Sequence, residues 1–211
     1  MILPRSFYER ADVVLVARDL LGKYLCTEAG GMVTSGMICE TEAYEGVTDR
    51  ASHAYGGRRT PRTEIMYARG GTAYVYLCYG IHSLFNVVTN VENIPHAVLI
   101  RGIIPAEGME TMLKRSGRKT PDKDMGIGPG KVSRLLGIHF SHTGTDLTRR
   151  PGKQEDFSIR IEERNGEVNT ENIISGLRIG IDYAGKDALL PYRFLLKKPL
   201  CLSSGKQKTQ A

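Results

Sequence analysis

The 211-residue sequence lacks any long apolar segment and any hydrophobic leader at its start. No stretch approaches the roughly 18–20 uninterrupted apolar residues that a membrane-spanning helix needs. The first residues, Met1-Ile-Leu-Pro-Arg-Ser, do not follow the basic, apolar and small-residue order of a secretory signal. These absences predict a protein that stays inside the cell and has no membrane partner.

Cysteine is also scarce, and no two cysteines have the spacing of a metal site. The four cysteines stand at positions 26, 39, 78 and 201, all in apolar surroundings, and no Cys-x-x-Cys pair occurs. This pattern argues against a zinc ribbon and against a thioredoxin-like redox site. It is typical of reduced, buried thiols in a cytosolic protein, so we expect neither thiol chemistry nor a metal.

Charge is the first positive signal. Lys and Arg number 29 against 23 Asp and Glu, a net charge of +6. Five arginines fall within 20 residues, namely Arg50, Arg58, Arg59, Arg62 and Arg69, and five more basic residues lie between positions 114 and 123. A solvated charged face is the simplest interpretation of either cluster. The Gly, Thr, Pro and Tyr residues interleaved with the arginines favour a surface that follows phosphates.

Hydrophobic periodicity and turn residues divide the chain into strands and a few helices. The predicted strands are 23–27, 32–44, 72–79, 83–89, 97–104, 158–163, 178–182 and 192–196, and the predicted helices are 12–21, 105–115 and 129–136. Strands dominate without regular strand–helix alternation. We therefore predict one α+β domain over residues 1–202, with a mostly antiparallel curved sheet, flanking helices and a protruding hairpin. A polar tail at 203–211 is predicted to be disordered.

Two carboxylates and a phenol share one face of the second predicted strand. Because side chains alternate along a strand, Glu40, Glu42 and Tyr44 point the same way. A solvent-facing strand end is the simpler interpretation of this pattern. However, the strand leads directly into the arginine-rich segment, and a carboxylate beside a basic groove suits a general base better than a phosphate contact.

Two further features bear on ligand binding. In the irregular segment, two glycines adjoin Arg58 and Arg59, which allows the backbone to approach a ligand closely. Tyr79 stands at the tip of a predicted hairpin, where core packing needs no aromatic residue, and an apolar wedge at such a tip can enter a DNA groove.

A glycine-rich segment at residues 125–131 resembles a phosphate-binding loop but departs from it twice. Val132 follows Lys131 where Ser or Thr is required, and Met125 takes the place of the first glycine. What remains is a glycine-rich backbone leading into a short helix, which is a weak anion site.

These residues occur in the order and spacing of a known family. The chain contains Glu40-Thr-Glu-Ala-Tyr44, His53-x-x-Gly-Gly-Arg-x-Thr-Pro-Arg62, Tyr74-Val-Tyr-x-x-Tyr-Gly80 followed by Asn86, and Val98-Leu-Ile-Arg101. Together they closely resemble the alkyladenine (3-methyladenine) DNA glycosylases of the mammalian type, which lack the helix-hairpin-helix motif. Gly128-Pro-Gly-Lys131, Arg178-Ile-Gly180 and Arg193-Phe194 fit the C-terminal half of that family, and the resemblance runs from about residue 5 to 200.

The resemblance implies a monofunctional enzyme of base excision repair, with no metal, cofactor or lyase chemistry. Such an enzyme flips a damaged purine out of double-stranded DNA and hydrolyses its N-glycosidic bond with water, leaving an abasic site. The candidate lesions are 3-methyladenine, 7-methylguanine, hypoxanthine and ethenoadenine. We expect a monomer, cytoplasmic and nucleoid-associated in a bacterium or nuclear in a eukaryote.

The resemblance also assigns the catalytic roles. Glu42 is the general base that activates the water, and Arg101 helps to hold that water. With an ordinary pKa of about 4.3, a glutamate is already ionised at neutral pH. Glu40 has no role in the family, and orienting Arg101 is our interpretation of it.

The binding roles follow in the same way. Tyr44 stacks on one face of the extruded base, with His53 and Tyr76 on the other face. Asn86 lines the pocket where a guanine amino group would collide, and Tyr79 is the wedge that enters the duplex. The expected phosphate contacts are Arg58, Arg59, Arg62 and Lys131.

Three other functions were weighed against the enzyme. A non-catalytic module that recognises damaged DNA predicts loss of the carboxylate or of the aromatic residues beside it, and both are present. A small-molecule or tRNA-directed transferase needs a cofactor motif, which the phosphate-loop comparison does not provide. A protein scaffold leaves the arginine cluster and the hairpin tyrosine without a purpose.

Overall fold

A computed structural model describes residues 1–150, 152, 156–164 and 168–197 of the chain. Within these residues eight strands form one sheet, in which all strand pairs are antiparallel. The strands are β1 Tyr24–Ala29, β2 Met32–Tyr44, β3 Ala73–Cys78, β4 His82–Thr89, β5 His96–Glu107, β6 Phe157–Glu162, β7 Ile173–Gly176 and β8 Arg193–Leu196. The α-helices are α1 Arg5–Tyr8, α2 Val13–Asp19, α3 Met109–Ser116 and α4 Pro129–Leu136. The predicted single α+β domain with a mostly antiparallel sheet is confirmed.

The long strand β2 is the centre of the sheet, whose order is β3-β4-β5-β2-β1-β6. One edge of β2 pairs with β5. The other edge pairs first with β1, through a tight hairpin, and then with β8, which also pairs with β7. Strands from the middle and the end of the chain therefore meet at the C-terminal half of β2.

One face of β2 is covered by helix α2. The carboxylate of Asp12 accepts hydrogen bonds from the backbone N–H groups of Val14 and Leu15, at 2.9 and 3.0 Å, so it caps the helix as its position before an apolar stripe predicts. The Thr41 hydroxyl donates to the Ala17 carbonyl at 2.8 Å, which ties the helix to the strand. Residues of the opposite parity on β2 face away from this core.

Two predicted elements are wrong. The helix predicted for 105–115 begins only at Met109, because β5 continues to Glu107 and Pro105 pairs with Gly36 across the sheet. The strand predicted for 178–182 is absent from the described residues, where the nearest strand is β7. Leu177, Ile179 and Ile181 alternate as in a strand, but the backbone there follows an irregular path.

Several expectations concern particular residue types. Burial raises the pKa of the Cys26 and Cys39 thiols to about 12, which agrees with the predicted buried cysteines at these two positions. The prediction is wrong for Cys78, which is only half-buried because it lies near the exposed tip of the β3–β4 hairpin. None of the helices in the described part of the chain has the length and apolar character needed to cross a bilayer. Across residues 1–150, 152, 156–164 and 168–197, no three His, Cys, Asp or Glu side chains are grouped as metal ligands. Cys201, the domain limit at 202 and the predicted tail at 203–211 lie outside the described residues.

Candidate active site on the open face of the sheet

The candidate site is built on a row of residues that crosses five strands. Strand pairing places Tyr74 opposite Asn86, Asn86 opposite Leu99, Leu99 opposite Glu42, and Glu42 opposite Arg193. Directly opposed residues point to the same face of a sheet. This row therefore lies on the face that α2 leaves uncovered.

Above this row lies a cavity of about 210 Å³. Its walls include six of the residues predicted from the sequence, namely Tyr44, His53, Tyr76, Tyr79, Asn86 and Arg101. The walls also include residues that the sequence reasoning did not assign, among them Met66, Tyr74, Leu84, Ile179 and Tyr183. The cavity is thus concave, largely aromatic and bordered by one arginine, which is typical of a ligand site.

Glu42 is fully buried behind the cavity wall, and its carboxylate contacts three residues that line the cavity. One carboxylate oxygen, Oε1, accepts a hydrogen bond from the backbone N–H of Ile179 at 2.8 Å. The other, Oε2, accepts from the Tyr44 hydroxyl at 2.8 Å and from the Arg101 guanidinium at 3.4 Å. The simpler interpretation of this strand end as solvent-facing is therefore wrong, since Glu40 is buried too.

The pKa of Glu42 is not ordinary. Burial raises the pKa of this carboxyl above its usual value, and the neighbouring charge of Glu40 adds to the rise. Arg101, the Ile179 N–H and the Tyr44 hydroxyl counteract it by favouring the ionised form. The expectation of an unperturbed pKa near 4.3 is therefore wrong, and Glu42 is a stronger base when it is ionised than a glutamate in water.

Arg101 follows Leu99 by two residues on β5 and shares its cavity face, at a point where the β2–β5 pairing has two bulges. Cys39 is the extra residue on β2, and Arg101 is the extra residue on β5. Bulges of this kind change the direction of a side chain beside a site. The Arg101 Nε donates to Glu40 Oε1 at 3.1 Å, and Arg193 donates to the same oxygen at 3.1 Å. This geometry is compatible with Glu40 orienting Arg101, which stays a prediction.

His53, Tyr74 and Tyr76 form a ring cluster on one wall. The His53 Nδ1 lies 2.7 Å from the Tyr74 hydroxyl oxygen. The rings of His53 and Tyr76 are nearly perpendicular, with an angle of 80° and centroids 4.7 Å apart. Only one of these two rings can therefore lie flat on a planar ligand while the other presents an edge. Burial lowers the pKa of His53 to about 4, and Arg62 and Arg58 add to the effect, so this imidazole is neutral near pH 7.

Asn86 is buried, and its side-chain orientation is fixed by the backbone. Its amide nitrogen donates to the carbonyl groups of Tyr74 and Leu84, both at 3.2 Å. The side chain is therefore a rigid part of the cavity wall.

Tyr79 stands at the tip of the β3–β4 hairpin with 92% of its side chain exposed. Its φ is +50° and that of Gly80 is +70°, as in the tight turns that join twisted strands. A residue with a side chain in this left-handed region costs about 1–2 kcal/mol. Because the ring is so exposed, its packing offsets little of this backbone strain in the free protein. Strain of this kind is typical of residues that act on a partner.

The four predicted phosphate contacts differ in their surroundings. Arg59 is exposed but already paired with Glu64 at 2.9 Å. Arg62 is exposed beside the cavity and contacts two of its wall residues: its guanidinium lies 4.9 Å from the centre of the Tyr76 ring and donates to His53 Nε2 at 3.4 Å. Arg58 and Lys131 are exposed at the surface.

Sequence reasoning missed the backbone donor at Ile179. The motif Arg178-Ile-Gly180 was noticed, but its alternating pattern suggested a strand, and a backbone N–H leaves no mark on the sequence. The donor and Glu42 are 137 residues apart, so only the folded chain brings them together.

Comparison with known proteins gives one consistent result. A family model described as methylpurine-DNA glycosylase (MPG) matches residues 6–199. A relative in Chlamydia felis is 45% identical over 196 residues, which is 92% of this chain and 96% of that protein. A second, in Bacillus mycoides, is 44% identical over 206 residues, or 94% of this chain and 97% of that protein. Both are named "putative 3-methyladenine DNA glycosylase".

Proposed function

Because the chain belongs to the methylpurine-DNA glycosylase family, we propose how its cavity recognises and removes a damaged base. Family membership makes it a DNA glycosylase for alkylated bases, a hydrolase that acts on N-glycosyl bonds. In our proposal it works as a monomer on double-stranded DNA. Its named relatives are bacterial, so we place it at the nucleoid.

The observation that carries the mechanism is the fully buried carboxylate of Glu42, which is hydrogen-bonded to three residues that line the aromatic cavity. In its ionised form Glu42 takes a proton from a water molecule held beside Arg101. The water oxygen attacks C1′ of the deoxyribose, while the bond to the purine nitrogen breaks and its electron pair leaves with the base. The positive charge that develops on the sugar is stabilised by the carboxylate.

The cavity receives the base after it has left the duplex. Extruding a base costs a few kcal/mol, and less at a damaged or mispaired position. Stacking on an aromatic ring returns about 1–3 kcal/mol per base. Tyr44 supplies one ring, and the His53–Tyr76 pair supplies a face and an edge on the other side. Tyr79 fills the space that the base has left, which gives its strained conformation a purpose.

The lesion range follows from the same walls. Positively charged 3-methyladenine and 7-methylguanine gain from ring faces through cation–π attraction. An arginine already lies 4.9 Å from the centre of each ring, Arg62 at Tyr76 and Arg178 at Tyr44. Neither ring is therefore favoured over the other for a cationic base. Neutral hypoxanthine and ethenoadenine depend on stacking alone. The rigid Asn86 side chain disfavours the amino group of a guanine base, a cost that cation–π attraction offsets for 7-methylguanine but not for neutral guanine.

The test is single-turnover excision from labelled duplexes that each carry one hypoxanthine, one ethenoadenine or one stable 3-methyladenine analogue. Alkali then cuts the strand at abasic sites. The wild type should release at least one of these bases, whereas Glu42→Gln should release none and still bind the damaged duplex. Glu45→Gln, which changes an exposed carboxylate three residues away, is the matched control and should keep wild-type excision.

Two outcomes would contradict the proposal. Excision by Glu42→Gln would remove Glu42 from its role as the base. Tight binding without excision by the wild type on every lesion would favour the non-catalytic recognition module instead.

A further inference from the structure

A buried ion pair lies directly behind the candidate site. The side chains of Arg178 and Asp49 are both almost completely shielded from solvent. The guanidinium donates to both carboxylate oxygens, and the Arg178 Nη2 contact with Asp49 Oδ1 measures 2.9 Å. Removing two charges from water costs several kcal/mol per ion, so a buried pair is weak evidence for stability alone and calls for another explanation.

The same guanidinium reaches the strand that carries Glu42. Arg178 Nη1 donates to the carbonyl of Ala43 at 2.9 Å, and Ala43 stands between Glu42 and Tyr44. The guanidinium carbon also lies 4.9 Å from the centre of the Tyr44 ring. One side chain therefore contacts both the backbone and the aromatic ring beside the carboxylate.

The residue after Arg178 provides the donor that Glu42 needs, since the Ile179 N–H is the partner of Glu42 Oε1. Apolar packing does not hold this segment, because the side chains of Leu177 and Ile179 are 50% and 51% exposed. Between Gly176 and Gly180 only Arg178 is buried. The position of the Ile179 N–H thus depends on the arginine beside it.

A second arginine holds the other end of the segment. Arg193 on β8 donates through Nε to the Leu177 carbonyl at 2.7 Å and through Nη1 to Glu40 Oε1 at 3.1 Å. Asp49, in turn, accepts from the backbone N–H of Ala51, a cavity residue, at 3.0 Å. The ion pair therefore joins the segment to the loop that contains Asp49 and Ala51.

We infer that Arg178 and Asp49 form a clamp that fixes the Ile179 N–H on Glu42, which makes Arg178 a positioning residue for the reaction. The inference rests on the proposed role of Glu42. It goes beyond that role because it assigns the orientation of the carboxylate to an ion pair that never touches the substrate.

Loss of the clamp should change the pH dependence of excision. Two or three backbone hydrogen bonds can lower the pKa of a carboxyl group by about two units, so losing one should raise the pKa of Glu42 by about one unit. The groups that face Glu42 or its partners from the surrounding elements are Glu40 and Tyr44 on β2, Arg101 on β5, Arg193 on β8, and Arg178 beside Ile179. Arg178 also interacts electrostatically with Glu42 and Tyr44, so its replacement removes a nearby cation as well as the clamp. Asp49→Asn removes an anion instead, whose direct effect on the pKa of Glu42 is in the opposite direction, so an upward shift in that variant comes from the clamp.

The experiment compares Arg178→Met and Asp49→Asn with the wild type. In both variants we expect the acid limb of single-turnover excision to move up by about one pH unit, which is a rate about tenfold lower below the limb. Arg178→Lys, which keeps a cation at this position, should move the acid limb by less than Arg178→Met does. Lys23→Met, which removes a buried ion pair with Glu163 far from the cavity, is the control and should keep the wild-type pH profile even if its melting temperature falls.

A second measurement does not depend on activity. Hydrogen exchange of the Ile179 amide, followed by NMR in the free protein, should be slow in the wild type and in Lys23→Met and at least tenfold faster in Arg178→Met. Unchanged exchange together with an unchanged acid limb would overturn the clamp. Absence of excision by the wild type, or excision by Glu42→Gln, would instead overturn the proposed function and leave the exchange result to judge the clamp alone.

Discussion

Replacing Tyr79 with asparagine should raise the stability of the free protein and lower its rate of excision from duplex DNA. The ring is 92% exposed and its backbone has a φ of +50°. Asparagine adopts this left-handed conformation several times more readily than most residues, so Tyr79→Asn should relieve about 1 kcal/mol of strain. Because Tyr79 is 92% exposed, it buries only about 16 Å² of the roughly 200 Å² that a tyrosine can bury. Its loss therefore costs about 0.4 kcal/mol.

The two effects together favour the variant by about half a kcal/mol or slightly more. In a chain of this length, 1 kcal/mol moves the melting temperature by about 2–4 °C, so we expect Tyr79→Asn to melt about 1–2 °C higher than the wild type. Differential scanning calorimetry measures this shift. Excision from a duplex should fall, because no ring fills the space left by the flipped base, whereas excision from a single strand should change much less.

Tyr79→Phe is the control, since it keeps both the ring and the strain. It should match the wild type in melting temperature and in excision from duplex DNA. A lower melting temperature for Tyr79→Asn would mean that the ring is packed in the free protein. Equal excision from duplex and single-stranded DNA by wild type and variant would remove Tyr79 from its role as the wedge.

Three further predictions concern charge and hydrogen bonding. Arg101→Gln removes a cation 3.4 Å from Glu42, which should raise the pKa of that carboxyl and move the acid limb of the pH–rate profile up by about 1–3 units; an unmoved limb would mean that Arg101 acts only on the water. Tyr44→Phe keeps the stacking ring but loses the hydroxyl that donates to Glu42, so the limb should move up while affinity for the damaged duplex stays constant. Arg58→Ala should lower the slope of log K against log salt concentration by about 1. Arg59→Ala should lower it less, because the Arg59 guanidinium already pairs with the Glu64 carboxylate. Slopes equal to that of the wild type in both variants would place the phosphate contacts elsewhere.

The sheet was predictable where local patterns determine it. The strands β2 to β5 contain apolar and aromatic runs bounded by clear turn signals, and α4 begins with Pro129 and ends before Gly137. Prediction failed where tertiary contacts override local pattern. Pro105 was read as a helix start, although β5 continues through it because Gly36 pairs with it across the sheet.

The candidate site was predictable in its side chains but not in its electrostatics. Alternation and motif spacing placed Glu42 and Tyr44 on one face. The N–H of Ile179 lies 137 positions from Glu42, and Arg193, which pairs with Glu42 across the sheet, is also more than 100 positions away. Such long-range contacts have no local signature, which is why an ordinary pKa was expected and the backbone donor was missed.

The bulges at Cys39 and Arg101 compensate for each other in the register of β2 and β5. Before and after them β2 and β5 are in the same register, so the extra residue on each strand compensates for the other. Deleting Cys39 or Arg101 alone would leave the other bulge uncompensated and shift the pairing of β2 with β5 by one position. Because a one-residue slip moves every side chain to the opposite face, either Glu42 on β2 or Leu99 on β5 would then turn away from the cavity. In this part of the sheet, insertions and deletions can therefore be tolerated only in pairs, one on each strand.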